Sequence, residues 1–163
     1  MNRTASRVVL VVLLLVLAAS TADAQRRRRP AAVGVSTTPR FGPHIGYNFD
    51  AEALLVGAQL TWPITPAIEL YPTFDYYFVD AGSRYALNFD LKYRPPTRGG
   101  AWYVGGGLNY SRFSAGGNSV GDTNLNLLTG LEGQRGRTRP YVEAKFILGD
   151  RSSFQLVGGF SWR

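Results

Sequence analysis

An all-β protein, an antiparallel up-and-down barrel of eight strands, is what this sequence predicts, and three observations carry the prediction. Beyond residue 40 apolar side chains recur with period two, and no stretch keeps a 3.6-residue period for more than two turns. Clusters of Gly, Pro, Asn, Asp and Ser interrupt the alternation roughly every ten residues. Each interruption is too short for a crossover helix, so consecutive strands pair as antiparallel neighbours. Composition removes other classes. A chain of 163 residues holds one domain, or two small ones. Zero Cys excludes disulfides, thiolate metal sites and a cysteine nucleophile, and a single His excludes a multi-histidine zinc site. At 18% charged and 13% aromatic residues, the chain is short of charge for a water-soluble surface.

The first element is an address. Arg3 and Arg7 precede an unbroken apolar run, Val8 to Ala19, and small residues lead to Ala22-Asp23-Ala24. A basic start, a short apolar stretch and an A-x-A site define a signal peptide over 1–24, cleaved between Ala24 and Gln25. A spanning helix needs about 20 apolar residues, so a permanent anchor is the weaker reading. Arg26, Arg27, Arg28 and Arg29 follow directly, on the side to be translocated, where positive charge opposes export. Without residues 1–24 the chain holds 16 basic against 10 acidic residues, and residues 40–163 hold 12 against 10. The basic balance therefore belongs to the segment 25–39. That segment reads as a disordered basic periplasmic stretch, or as a contact for an anionic envelope polymer or phosphate-bearing lipid. The domain itself shows no basic face for nucleic acid.

Strands follow near 41–49, 53–62, 67–78, 84–94, 101–111, 123–132, 140–148 and 153–162. The fourth is the clearest, with Tyr85, Leu87, Phe89, Leu91 and Tyr93 on one face and Ala86, Asn88, Asp90, Lys92 and Arg94 on the other. The third repeats it, Ile68 to Phe78 against Glu69, Tyr71, Thr73, Asp75 and Tyr77. Residues 53–60 could pass for a helical turn or two, but Gly57 inside and Trp62 at the end favour a strand. The stretch Ser114–Asp122 reads as the longest external loop. Gly105-Gly106-Gly107 lies inside a strand, where it relieves crowding; no helix follows to make a phosphate loop. An even strand count puts both termini on one side.

Alternation leaves open which face points outward. A soluble barrel would put the apolar face inside and bind an apolar ligand; a membrane barrel reverses it. Bulk decides. Fifteen of the 21 aromatics, Tyr47, Phe74, Tyr76, Phe89, Phe146 and Phe160 among them, share the apolar face. The interior of eight strands admits only ordinary side chains. The apolar face therefore meets lipid, and strands of about ten residues match a transmembrane span. Trp62, Tyr93, Trp102 and Trp162 fall at one rim, on the periplasmic side, and Phe49, Phe78, Tyr85, Tyr110 and Phe154 at the other, as interfacial girdles. The closing residues Gly158-Gly159-Phe160-Ser161-Trp162-Arg163 are similar to the last strand of outer-membrane barrels, with the aromatic penultimate.

From about Phe41 onward the chain resembles the small eight-stranded bacterial outer-membrane β-barrel family (OmpA/OmpX-like, porin-family β-barrel domains). The resemblance lies in signal peptide, amphipathic strands and girdles, and no sequence-specific motif carries it. It implies residence in the outer membrane and assembly from the periplasm by the barrel-assembly machinery, read through the C-terminal strand. It transfers no catalytic residue.

The opposite face holds Glu69, Asp75, Asp90, Lys92, Arg94, Glu132, Glu143 and Lys145, with Arg84 at the rim and Tyr71, Tyr77, Tyr103 and Tyr141 among them. Charges in a narrow, low-dielectric interior pair up. Glu69 comes opposite Arg94 or Lys92, depending on register. This set is a lumen plug, or on a second reading a gated ion path. His44, the only imidazole, faces the lumen near the periplasmic rim, away from where a catalytic Ser/His or Asp/His set would work. The expectation is a monomeric, non-enzymatic protein without cofactor or metal, with a structural, adhesive or minor-permeability role in the envelope.

Overall fold

The structure, a computed structural model, describes residues 38–95, 102–133 and 136–163. The expected signal peptide, its Ala24–Gln25 cleavage site and Arg26 to Arg29 lie outside them. Eight strands follow in order: β1 (Arg40–Asn48), β2 (Ala53–Pro63), β3 (Ile68–Phe78), β4 (Ser83–Tyr93), β5 (Trp102–Ala115), β6 (Asn118–Glu132), β7 (Thr138–Leu148) and β8 (Ser153–Trp162). Each pairs antiparallel with its neighbours in sequence, and β1 pairs with β8 to close the barrel. Both ends of the described barrel, Arg40 and Trp162, lie at one mouth, here called the terminal rim. The turns after β1, β3, β5 and β7 form the far rim.

Closure depends on continuous ladders, and proline marks where they lapse. The β1–β8 seam pairs Phe41 with Trp162 and His44 with Gly159, skipping the stretch around Pro43. The β2–β3 ladder likewise skips from Gln59↔Thr73 to Trp62↔Leu70 around Pro72. Proline has no N–H to donate to a ladder.

The pleat sorts the chemistry. Along β4 Phe89 is 58% exposed, Asp90 0%, Leu91 49% and Lys92 1%. The apolar face is outside and the charged face inside, the reverse of a water-soluble protein. Tyr47 keeps the outward parity of Ile45 but is covered, its ring edge-on to Phe49 at 5.2 Å.

One expectation is corrected. Ser114–Asp122 is not a loop: β5 and β6 run to Ala115 and Asn118 and pair residue by residue through Arg112↔Gly121 and Phe113↔Val120. Gly116 (φ 58°) and Gly117 (φ 84°) alone make the turn. Positive φ at both central residues is the tight hairpin geometry whose twist suits paired strands. Arg112 Nη2 donates to Ser119 Oγ across the pair at 2.9 Å. β4 follows β5 as far as Ser83↔Ser114, whereas β7 leaves β6 at Leu125↔Leu148, so the hairpin rises beyond the far rim on one side. Limited trypsinolysis of the folded protein in detergent should spare the Arg112–Phe113 bond for hours. Cleavage within minutes would restore the loop.

Candidate functional site

Inward positions of all eight strands meet in the lumen, and their polar groups assemble in tiers. At the terminal rim four residues close a ring of alternating charge. Arg40 on β1 reaches Glu69 on β3 (Nη2–Oε1 3.5 Å) and Glu132 at the end of β6 (3.2 Å). Arg94, just past β4, donates from Nε to Glu69 Oε2 at 2.8 Å and from Nη2 to Glu132. The Ser161 hydroxyl donates to Glu132 Oε1 at 3.4 Å. Arg139 on β7 pairs with Ser161 in the ladder, and so stands beside the residue that bonds Glu132.

The middle tier joins β4 to β7. Lys92 Nζ meets Glu143 Oε2 at 3.1 Å, and Lys145 Nζ meets Asp90 Oδ2 at 3.2 Å and Glu143 Oε1 at 3.8 Å. The Tyr103 hydroxyl donates to Glu143 Oε2 at 2.8 Å. Lys92 Nζ also sits 3.1 Å from the centre of the Tyr71 ring and 4.0 Å from that of Tyr103, so ring faces replace part of its lost hydration.

Amides carry the network onward. Asn126 Nδ2 donates to Asp90 Oδ1 (2.9 Å) and Asn88 Oδ1 (2.8 Å), and Asn109 Nδ2 to Asn88 Oδ1 (2.7 Å). Asn88 Nδ2 in turn donates to Asp75 Oδ2 at 2.9 Å. Asp75 Oδ1 lies 2.6 Å from His44 Nε2. The His44–Asp75 contact crosses the strand between them at Gly57, where a Cβ would strike both side chains. Towards the far rim the polar chain ends in an apolar cluster of Ala53, Leu55, Tyr77, Ala86 and Val157. The Tyr77 hydroxyl donates to Gln155 Oε1 at 2.9 Å, and the Arg84 guanidinium lies 5.0 Å from the Tyr77 ring centre.

The structure thus places Glu69, Asp75, Asp90, Lys92, Arg94, Glu132, Glu143 and Lys145 inward and brings them into two ionic assemblies. By ladder position Glu69 is opposite Lys92, but its carboxylate bonds Arg94 and Arg40. Trp62, Tyr93, Trp102 and Trp162 lie at the terminal rim, with Trp162 edge-on to Phe41 at 5.3 Å. Phe49, Phe78, Tyr85, Tyr110 and Phe154 lie towards the far rim, where Phe49 stacks on Phe154 at 5.4 Å.

Sequence reasoning missed Arg40, Arg139 and the amide relay. Parity counted back from His44 and Tyr141 would have put both arginines inside; the relay has no sequence signal. His44 and Asp75 make an orienting pair, and among the described residues no hydroxyl bonds the imidazole. Among the described residues no group of three His, Cys, Asp or Glu is arranged to hold a metal ion.

No protein-family model matches the chain, and no curated protein does. Solved structures do. The N-terminal β-barrel domain of Pseudomonas aeruginosa OprF matches with TM-score 0.65 at 17% identity, over 78% of this chain and 97% of that one. Neisserial surface protein A matches at TM-score 0.56 and 13% identity, over 76% and 93%. The de novo designed TMB2.3 gives TM-score 0.54 at 17% identity, over 78% and 94%. The resemblance to small eight-stranded outer-membrane barrels therefore holds as a likeness of fold.

The rim ring makes a measurable claim. Glu69→Ala leaves two guanidinium groups sharing one carboxylate and should destabilise the barrel by about 3 kcal/mol, the range for a broken buried pair. Glu69→Ala/Arg94→Ala should recover part of that loss. Urea unfolding in lipid vesicles, followed by tryptophan fluorescence, measures both.

Proposed function

We propose that this membrane β-barrel resides in a bacterial outer membrane as a non-enzymatic envelope protein whose lumen is blocked. One observation carries the reading: the polarity is inverted, with aliphatic and aromatic residues outside and ion pairs inside. A soluble barrel for an apolar ligand needs the opposite arrangement. An apolar belt flanked by Trp62, Trp102 and Trp162 at one rim and Phe49, Phe78 and Phe154 at the other fits lipid between two interfaces. A likeness of fold to OprF's barrel domain and to a neisserial surface protein supports the same compartment. On this reading the terminal rim faces the periplasm, the closing strand Gly158–Arg163 addresses the assembly machinery, and the protein works as a monomer. Arg26 to Arg29 then offer contact to anionic envelope polymer.

The blocked lumen follows from its contents. Two ionic tiers and the Leu55–Tyr77–Val157 cluster stand in series along the axis. An eight-stranded barrel has room for little else. The role left is to brace the envelope or to present the β5–β6 hairpin outside it.

Expression with its leader in a Gram-negative host should give outer-membrane protein, soluble only in detergent, whose gel migration shifts on heating. Recovery in the soluble periplasm overturns the reading. In planar bilayers the wild type should show no steady conductance. A large, stable conductance would replace the blocked lumen with a porin role.

A further inference from the structure

We propose that the arginine cluster at the terminal mouth of the barrel binds a phosphate-type oxyanion. Two carboxylates, Glu69 and Glu132, are taken up by Arg40 and Arg94, while Arg139, beside Ser161 in the ladder, holds no ion pair within 4 Å among the described residues, so the arginines outnumber their acidic partners. The deeper tiers are occupied by partners of their own: Lys92 meets Glu143, Lys145 meets Asp90, and Asp75 meets His44.

Hydrogen bonding shows the same surplus independently of charge. Arg40 Nε and Nη1, Arg94 Nη1 and Arg139 Nε are buried and have no acceptor among the described residues. Arg40 is 1% exposed and Arg139 9%. A buried donor left unpaired bears its whole desolvation cost, and a guanidinium bears more than an amide. Donors on three side chains outnumber the two oxygens of a carboxylate. A phosphate group offers three or four acceptors, and arginine forks match its geometry. The Arg94 side chain, just past β4 at the terminal rim, is 12% exposed. Trp162 stands at the same rim, at the depth where a phospholipid headgroup would lie. The phosphate is thus either free or carried on a lipid.

The inference rests on the lumen geometry alone and holds whether or not the barrel conducts. The test uses protein purified in maltoside detergent without phosphate. Calorimetric titration with sodium phosphate, against sodium chloride of equal ionic strength, should show one saturable site for phosphate only. Arg139→Gln should weaken it at least tenfold. Arg139 holds no ion pair within 4 Å among the described residues, so its loss orphans no carboxylate, and unchanged heat-shifted migration verifies the fold. Arg84→Gln, at the far rim, should bind like wild type. The same titration in phospholipid nanodiscs separates the sources. Binding in both media identifies free phosphate. Binding in maltoside alone, abolished there by adding a short-chain phospholipid, identifies a headgroup. No saturable binding in maltoside, or equal binding by Arg139→Gln, overturns the proposal.

Discussion

Closure of β1 onto β8 is the constraint from which the rest follows. In an apolar surrounding every backbone N–H and C=O needs a partner, and an open edge would leave a row of them bare. Sealing the sheet solves that problem and creates another. Eight strands enclose a bore only one or two side chains wide, so each inward residue contacts residues from across the barrel. That is why Tyr141 on β7 packs in one cluster with Leu55 on β2 and Ala86 on β4. It is also why the His44–Asp75 contact exists only because Gly57 has no side chain to stand in its way.

Inverting a protein changes what fixes strand register. A soluble barrel is registered by its apolar core; here the apolar residues lie outside, against a fluid. The ion pairs take over. Arg40, Glu69, Arg94 and Glu132 tie β1, β3, the end of β4 and β6 together, and Lys92, Lys145, Asp90 and Glu143 tie β4 to β7. Such pairs contribute little net stability beside apolar isosteres. Their contribution is discrimination. A slip of one residue in β4 would turn Asp90 and Lys92 out to lipid, at a cost that grows with depth from the interface.

How far the sequence could be read tracks where lipid acts. Within the apolar belt alternation placed β3 and β4 to within a residue, because lipid demands that Phe89 and Leu91 differ from Asp90 and Lys92. Above the belt nothing demands it. The tops of β5 and β6 (Ser111–Ala115, Asn118–Thr123) are solvated on both faces, so their Ser, Gly and Asn content reads as turn although only Gly116 and Gly117 turn. In the lumen the charged residues declared themselves by parity, as Glu69 and Arg94 did. Their partners did not: Asn88, Asn109 and Asn126 meet only through the registers of β4, β5 and β6. Arg40 and Arg139 stand just outside the strand bounds read from the sequence, 41–49 and 140–148, although parity carried back from His44 and Tyr141 puts both inside.

The two mouths end up chemically unlike, and the difference has a physical source. At the far rim Tyr77, Leu55 and Val157 pack by dispersion with one hydroxyl–amide bond, contacts that depend on ionic strength less than ion pairs do. At the terminal rim the contacts are ionic, with more donors than acceptors. A salt-dependent change in the ring of Arg40, Glu69, Arg94 and Glu132 therefore leaves the packing at the other mouth in place. The terminal mouth is then free to respond to anions without disturbing the packing at the other end. That separation is available because the apolar cluster and the ring share no side chain, although each draws on strands from both halves of the barrel.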